Sequence, residues 1–313
     1  MENNKNCPLV TIAIPAYKRK FLKQAIASAL SQTYDNIELV IVNDASPESL
    51  DDVVSEFHDP RIRYYVNEIN LGGADPVANW NKCLDYAKGT FFALLCDDDV
   101  YDRNFISEML SLSSKYPDVS VFRSRVKMID SNDSIIDLFP SSPTYESAMD
   151  YLWAKVSRNR IQTISEFLLR TSTVRKCGGY VNMPKAWCSD EISILEFAKE
   201  GGIAHSNSLL VSFRMSGDNI SSVKEKNTEQ KIIAQMRYTV WIQNFIKDEP
   251  AWFKNSIEFH RNCCLAAVIP EYLQYSLWKD YLSIYFHRKK FSLKNSYFLK
   301  ALAHRFVYSI RNI

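Results

Sequence analysis

Between Leu9 and Cys96 the chain alternates unbroken apolar runs with segments of helical periodicity, and this alternation restricts the fold more than any other feature. LVTIAIPAY, IELVIVNDAS and TFFALLC read as continuous apolar strands, and RIRYYVNE as a shorter one. Between them FLKQAIASALSQ, SLDDVVSEFH and PVANWNKCLDYAKG carry apolar residues at helical spacing, and Gly89 is suited to a left-handed cap at the end of the last. Apolar strands separated by helices imply a mostly parallel sheet covered on both faces, an α/β fold. Ligands of such sheets sit beyond the carboxyl ends of the strands. Pro15-Ala16-Tyr17, Asn43-Asp44-Ala45-Ser46 and Asp97-Asp98-Asp99 therefore line one crevice in this reading.

Three adjacent Asp residues at a strand terminus raise one another's pKa unless a cation neutralises them. Mg²⁺ or Mn²⁺ does this with oxygen ligands, commonly one or two carboxylates completed by phosphate oxygens. The alternative is a solvated acidic turn that caps the next helix, with Asp102 in the same role. Pro15 and Tyr17 offer a stacking surface and Asp44 an acceptor for the N–H of a base, which favours the metal reading.

Beyond residue 125 the pattern is less regular. PSSPTYES reads as a surface loop, and KCGGYVNMPKAWCSDEISILEFAKEGG as a double-Gly turn followed by a helix opening near Ser189 and Asp190. From Glu225 onward the chain is helical and aromatic, and from Lys279 it is basic and aromatic with almost no acid. The organisation expected is 1–125, 126–222 and a helical 223–313. The 38 basic and 36 acidic side chains leave a net charge of +2, so no global field favours nucleic acid. Seven scattered cysteines without a CxxC pair, and five His without ligand spacing, argue against a zinc site and for reduced thiols in the cytoplasm. No apolar run approaches the roughly 20 residues that span a bilayer, and MENNKNCPLV has no signal core.

VTIAIPAYKR, LVIVNDAS and NLGGADPVANWNKCLDYAKGTFFALLCDDDV together resemble the N-terminal half of family 2 glycosyltransferases, inverting enzymes of the GT-A fold. KCGGYVNMPKAWCSDEISIL resembles that family's acceptor-side segment, and HSNSLLVSFRMSGDNIS the strand ending in its Arg-x-His motif. The resemblance runs in order over roughly residues 8 to 222. It implies that Pro15, Tyr17 and Asp44 bind the base, that Asn70 and Asn79 shape the nucleotide pocket, and that Asp97 meets the ribose. It also implies that Asp98 and Asp99 hold Mn²⁺ or Mg²⁺ on the diphosphate of a nucleotide-sugar donor. Two positions depart from the pattern: Cys96 stands where Asp-x-Asp-Asp has its first Asp, and Ser216 replaces the His, which leaves open which two Asp residues ligate. The Gln-x-x-Arg-Trp signature of processive synthases is absent, so one sugar per event is expected.

The same resemblance makes Asp190 the general base, with Glu191 as its rival and as an acceptor-binding residue. Trp187 either stacks on an acceptor sugar or belongs to the core. The acceptor implied is a saccharide, lipid-diphosphate-linked, in surface polysaccharide assembly. A sugar-phosphate nucleotidyltransferase or a dinucleotide oxidoreductase is disfavoured because IPAYKRKF has no Gly-rich phosphate loop. An inactive scaffold is the non-enzymatic alternative. The basic, aromatic C-terminal segment is expected either to lie in the interface of the inner membrane face or to pack as a helical bundle.

Overall fold

The computed structural model describes residues 7–72, 75–215, 217 and 227–311, with side chains to residue 305. Ser216 lies outside these residues. The chain forms two compact units: one contains the residues up to Leu152, Arg160–Asn182 and Ser189 to the end of the last strand, the other Trp153–Asn159, Met183–Cys188 and the C-terminal helices.

In chain order the first unit carries β1 (Val10–Ala16), α1 (Leu22–Leu30), β2 (Ile37–Asn43), α2 (Leu50–Ser55), β3 (Ile62–Val66), α3 (Pro76–Tyr86) and β4 (Phe91–Leu94). There follow β5 (Val100–Tyr101), α4 (Phe105–Lys115), β6 (Val121–Ile129), β7 (Ile135–Leu138), β8 (Tyr145–Glu146) and α5 (Ala148–Val156), whose last turn belongs to the second unit. β9 (Phe167–Arg170), α6 (Thr171–Lys176), α7 (Ser189–Ala198) and β10 (Ile203–Arg214) complete it. The described strands form one sheet in the order β3-β2-β1-β4-β9-β6-β10-β5, with β7 beside β6 and β8 beside β10. β3, β2, β1 and β4 are parallel, as are β6 and β10, whereas β9 runs antiparallel to both β4 and β6. Apart from β5, which pairs antiparallel with β10, the antiparallel strands β7, β8 and β9 come from beyond residue 125, where the sequence pattern is less regular. The boundary expected near residue 125 falls inside β6.

Burial explains the parallel half. All seven residues of β2 are buried, which an unbroken apolar run requires when helices cover both faces. α1 buries Leu22, Ala25, Ile26 and Ala29, the i, i+3, i+4, i+7 stripe of a helix packed on a sheet. α3 opens where Pro76 follows Asp75, whose carboxylate accepts from the Val77 and Ala78 amides at 3.1 and 3.3 Å. Gly89 is not the left-handed cap expected of it, because α3 ends at Tyr86 and Ala87 is extended. A β-carbon at Gly89 would stand 2.5 Å from the Thr11 amide nitrogen, so close approach to β1 is what requires glycine there.

In the second unit α8 (Thr228–Phe245), α9 (Ala251–Tyr275), α10 (Trp278–Phe286) and α11 (Asn295–Arg311) enclose a core of Ile232, Leu265, Ile269, Leu273, Tyr281, Ile284 and Phe298. None of the helices, among the described residues, is long and apolar enough to cross a membrane.

Candidate active site

Register brings the expected loops together. Ala16 pairs with Asn43 and Ala13 with Leu94, so the chain leaves β1, β2 and β4 on one edge of the sheet. Asp97 fastens two of these exits: its Oδ2 accepts from the backbone amides of Tyr17 and Lys18 at 2.8 and 2.7 Å. The Lys18 ammonium lies 3.5 Å from Asp97 Oδ1 and donates a short hydrogen bond to Asp98. All three Asp residues are at most 5% exposed, so the cluster is a buried device and not a solvated turn.

Asp99 is the deepest of the three. Its Oδ2 accepts from Ser165 Oγ at 2.6 Å and its Oδ1 from the Arg214 amide at 3.0 Å. Burial, then the charge of Asp98, pushes the Asp99 carboxyl up to about 7. Burial also raises Asp97, against the pull of Lys18 and with the push of Asp98. Lys18 is driven the other way: burial opposes its charge, but Asp97 and Asp98 outweigh burial and hold the amine well above its usual range. Arg214 completes the frame, its Nε donating to the Asp98 carbonyl at 2.9 Å while its guanidinium stacks on Phe21 at 4.1 Å.

Ligand atoms of Cys96, Asp98 and Asp99 lie within 4.8 Å of one another. Two carboxylates and a thiol at that spacing fit a divalent cation, and the repulsion among the carboxylates is what such an ion relieves. Burial and the neighbouring Asp99 and Asp98 charges hold the Cys96 thiol protonated, well above its usual range.

Asp44 is buried and its carboxylate is engaged. Oδ1 accepts from Asn67 Nδ2 at 2.8 Å and the Leu71 amide at 2.9 Å, and Oδ2 from the Gly72 amide at 2.6 Å. Asp44 thus moulds the loop that carries Asn70, which is half-buried. A β-carbon at Gly72 would come 2.8 Å from that oxygen. Asn79 joins through Asn67 Nδ2, which donates to its Oδ1 at 3.0 Å. Pro15 is half-buried and Tyr17 is exposed at the rim.

Asp190 and Glu191 occupy the first turn of α7, both half-buried. The helix begins at Ser189, so Asp190 lies inside its first turn and is not its N-cap. Gln162 Nε2 donates to Asp190 Oδ2 at 3.1 Å, and Gln162 is itself held by the Tyr151 hydroxyl at 2.8 Å. The preceding Gly178-Gly179 turn has φ of 82° and 86°, and Asn81 clamps it by exchanging hydrogen bonds with the Tyr180 backbone at 2.7 and 3.0 Å. Trp187 belongs to the second unit, where its ring lies 5.8 Å from that of Tyr272 and 5.0 Å from Lys231 Nζ.

Sequence reasoning missed Lys18, Ser165 and Gln162 as parts of the site. A lysine just past the β1 tip was visible in AYKRK, but Ser165 and Gln162 sit in a stretch with no distinguishing pattern.

The open mixed sheet, the carboxylate cluster at a strand terminus and the helical extension define a GT-A glycosyltransferase fold. The chain belongs to glycosyl transferase family 2, whose model matches residues 11–167. It is 33% identical over 144 residues to the Escherichia coli UDP-Glc:alpha-D-GlcNAc-diphosphoundecaprenol beta-1,3-glucosyltransferase WfgD, covering 45% of this chain and 55% of that one. Other curated relatives carry glycosyltransferase names, one of them in colanic acid biosynthesis. For several relatives the matched segment is a minor part of their length, 18% and 35% in two Rickettsia proteins. Among solved structures, Staphylococcus aureus TarS 1-349 in complex with UDP-GlcNAc has a TM-score of 0.68 at 14% identity, covering 95% of this chain and 91% of that one. The Pyrobaculum calidifontis mannosyltransferase PcManGT with GDP-Man and Mn²⁺ has a TM-score of 0.59 at 15% identity, covering 96% and 88%. These likenesses are of fold.

Proposed function

We propose that this glycosyltransferase moves one sugar, with inversion, from a UDP-sugar to a hydroxyl of a lipid-diphosphate-linked saccharide in surface polysaccharide biosynthesis. The observation that carries the reading is the meeting of the β1, β2 and β4 exits around a buried carboxylate cluster. The WfgD name, which pairs UDP-Glc with a diphosphoundecaprenol acceptor, supports the donor and acceptor classes.

Residues 1–125 supply the donor side. Pro15 and Tyr17 flank the base, Asp44 holds the loop bearing Asn70 against it, Asn79 fixes that loop from α3, and Asp97 reaches the ribose. Asp98 and Asp99 hold Mn²⁺ or Mg²⁺, which when bound neutralises the departing diphosphate. Residues 126–222 supply the acceptor side. Asp190 takes the acceptor hydroxyl's proton while Gln162 holds its Oδ2, and Glu191 binds the acceptor sugar. Transfer with inversion needs no covalent intermediate, so a single base suffices. Such an acceptor puts the reaction in the cytoplasm at the inner face of the membrane; nucleic acid has no part in it.

The test is a screen of nucleotide-sugars against lipid-diphosphate sugars with Mn²⁺, the products weighed by mass spectrometry. Acceptor mass increased by one sugar, with UDP released, is expected. UTP and sugar 1-phosphate formed from the UDP-sugar when pyrophosphate is added would assign the nucleotidyltransferase reaction instead, and no turnover with any donor would favour the scaffold.

A further inference from the structure

α10 carries a pattern that packing does not explain. Its inner face is buried: Tyr281 and Ile284 enter the helical core, the Tyr281 ring meets Phe298 of α11 edge-on at 5.6 Å, and its hydroxyl donates to the Phe298 carbonyl at 3.0 Å. Trp278, Leu282 and Phe286 nevertheless stand 57%, 47% and 73% exposed. Spaced by four, they advance by about 40° per step and form one stripe along the helix. Single exposed apolar residues are ordinary, but three large ones on one stripe are not.

The charge along this stretch of sequence is one-sided. From Trp278 to Lys300 there are six Lys or Arg (Lys279, Arg288, Lys289, Lys290, Lys294 and Lys300) and one acid, Asp280. Arg288-Lys289-Lys290 follows α10 after its C-cap His287, and Lys289 and Lys290 are exposed. The Arg305 guanidinium sits 4.4 Å from the Trp278 ring, which fixes that ring at the N-terminal end of the stripe. A helix with an apolar stripe ending in cations fits the boundary between acyl chains and anionic headgroups. A protein partner of equal fit would need acids facing the cations, and a second copy of this segment presents cations instead.

We infer that the Trp278–Leu282–Phe286 stripe of α10 inserts into an anionic phospholipid surface, with Arg288, Lys289 and Lys290 on the headgroups. The inference deepens the proposed function by assigning the membrane contact of a lipid-linked reaction to one helix, and it rests on that reading for its purpose only. Binding is therefore measured without substrate. The full chain is sedimented with vesicles containing phosphatidylglycerol and with pure phosphatidylcholine vesicles, at low and high salt. Wild type is expected to bind the anionic vesicles and to release with salt. Leu282→Glu/Phe286→Glu, at residues outside the buried helical core, should bind roughly tenfold or more weakly. Arg288→Gln/Lys289→Gln/Lys290→Gln should lose the preference for anionic lipid. Failure of wild type to bind, or equal binding by Leu282→Glu/Phe286→Glu, overturns the inference. So does a wild-type dimer, seen by light scattering, that the same pair dissociates without vesicle binding, since the stripe then serves a second copy. Transfer to a soluble acceptor should be unchanged in both variants, which separates loss of the membrane contact from failure of the glycosyltransferase reading.

Discussion

Lys18→Gln tests how the carboxylate cluster is held and what it waits for. The Lys18 ammonium bonds Asp98 and lies 3.5 Å from Asp97, so a divalent ion binding Asp98 must displace or share with it. Two unit charges at such range attract by about 4 kcal/mol at an effective dielectric of about 20. A third of the Lys18 side chain is exposed, and desolvation and screening reduce the net value to about 1–2 kcal/mol. Removing the competitor should tighten Mn²⁺ binding by that amount, roughly five- to thirtyfold in Kd. The assay is Mn²⁺ titration by electron paramagnetic resonance on the nucleotide-free protein, where free and bound ion are counted directly. In excess EDTA the same variant should melt below wild type, because Asp97 and Asp98 then repel without a counter-charge, and Mn²⁺ should restore it. Equal or weaker Mn²⁺ binding by Lys18→Gln would refute the competition. Wild-type turnover that survives EDTA and disappears in Lys18→Gln would make Lys18 itself the leaving-group cation.

Asp190→Asn should keep its fold and its UDP affinity while turnover falls about 10²–10⁴-fold; near wild-type turnover together with a loss in Glu191→Gln would pass the role to Glu191. Gly89→Ala should cost roughly 1–3 kcal/mol of stability, seen as a lower urea midpoint, because its methyl would meet the Thr11 amide nitrogen at 2.5 Å; an unchanged midpoint would show that the β1 and β4 ends yield freely. Stability should fall on acidification through His205, whose Nε2 lies 2.9 Å from Glu146 Oε1. Burial depresses the imidazole below 6.5, so the unfolded chain takes up the proton first, and the stability His205 gives is complete above pH 6.5 and lost as pH falls through its folded value. Glu146 adds a second loss below pH 4.5: burial opposes its charge, but bonds from His205 and Arg160 outweigh it and hold the carboxyl low. Urea midpoints measured across pH should drop in that order, and His205→Gln should flatten the first drop.

The sequence by itself determined the parallel half of the sheet and the meeting of its three loops. Doubly buried strands must be apolar throughout, as β2 is, and strands that alternate with helices run parallel, so their carboxyl ends share an edge without any further information. The turn before α7 was legible in the same way, because Gly178 and Gly179 mark backbone that other residues adopt at a cost. Tertiary structure alone decided what each carboxylate does there. Asp97 bonds backbone 79 and 80 residues away, Asp99 meets Ser165 across 66 residues and Arg214 across 115, and Asp44 spends its oxygens on amides 27 and 28 residues on. Local patterning reports which face of an element is buried and is silent on which distant donor lies opposite. The antiparallel insertion of β9 between β4 and β6 escaped it for the same reason, since a four-residue strand carries little periodicity and its partners are chosen by the sheet that is already there.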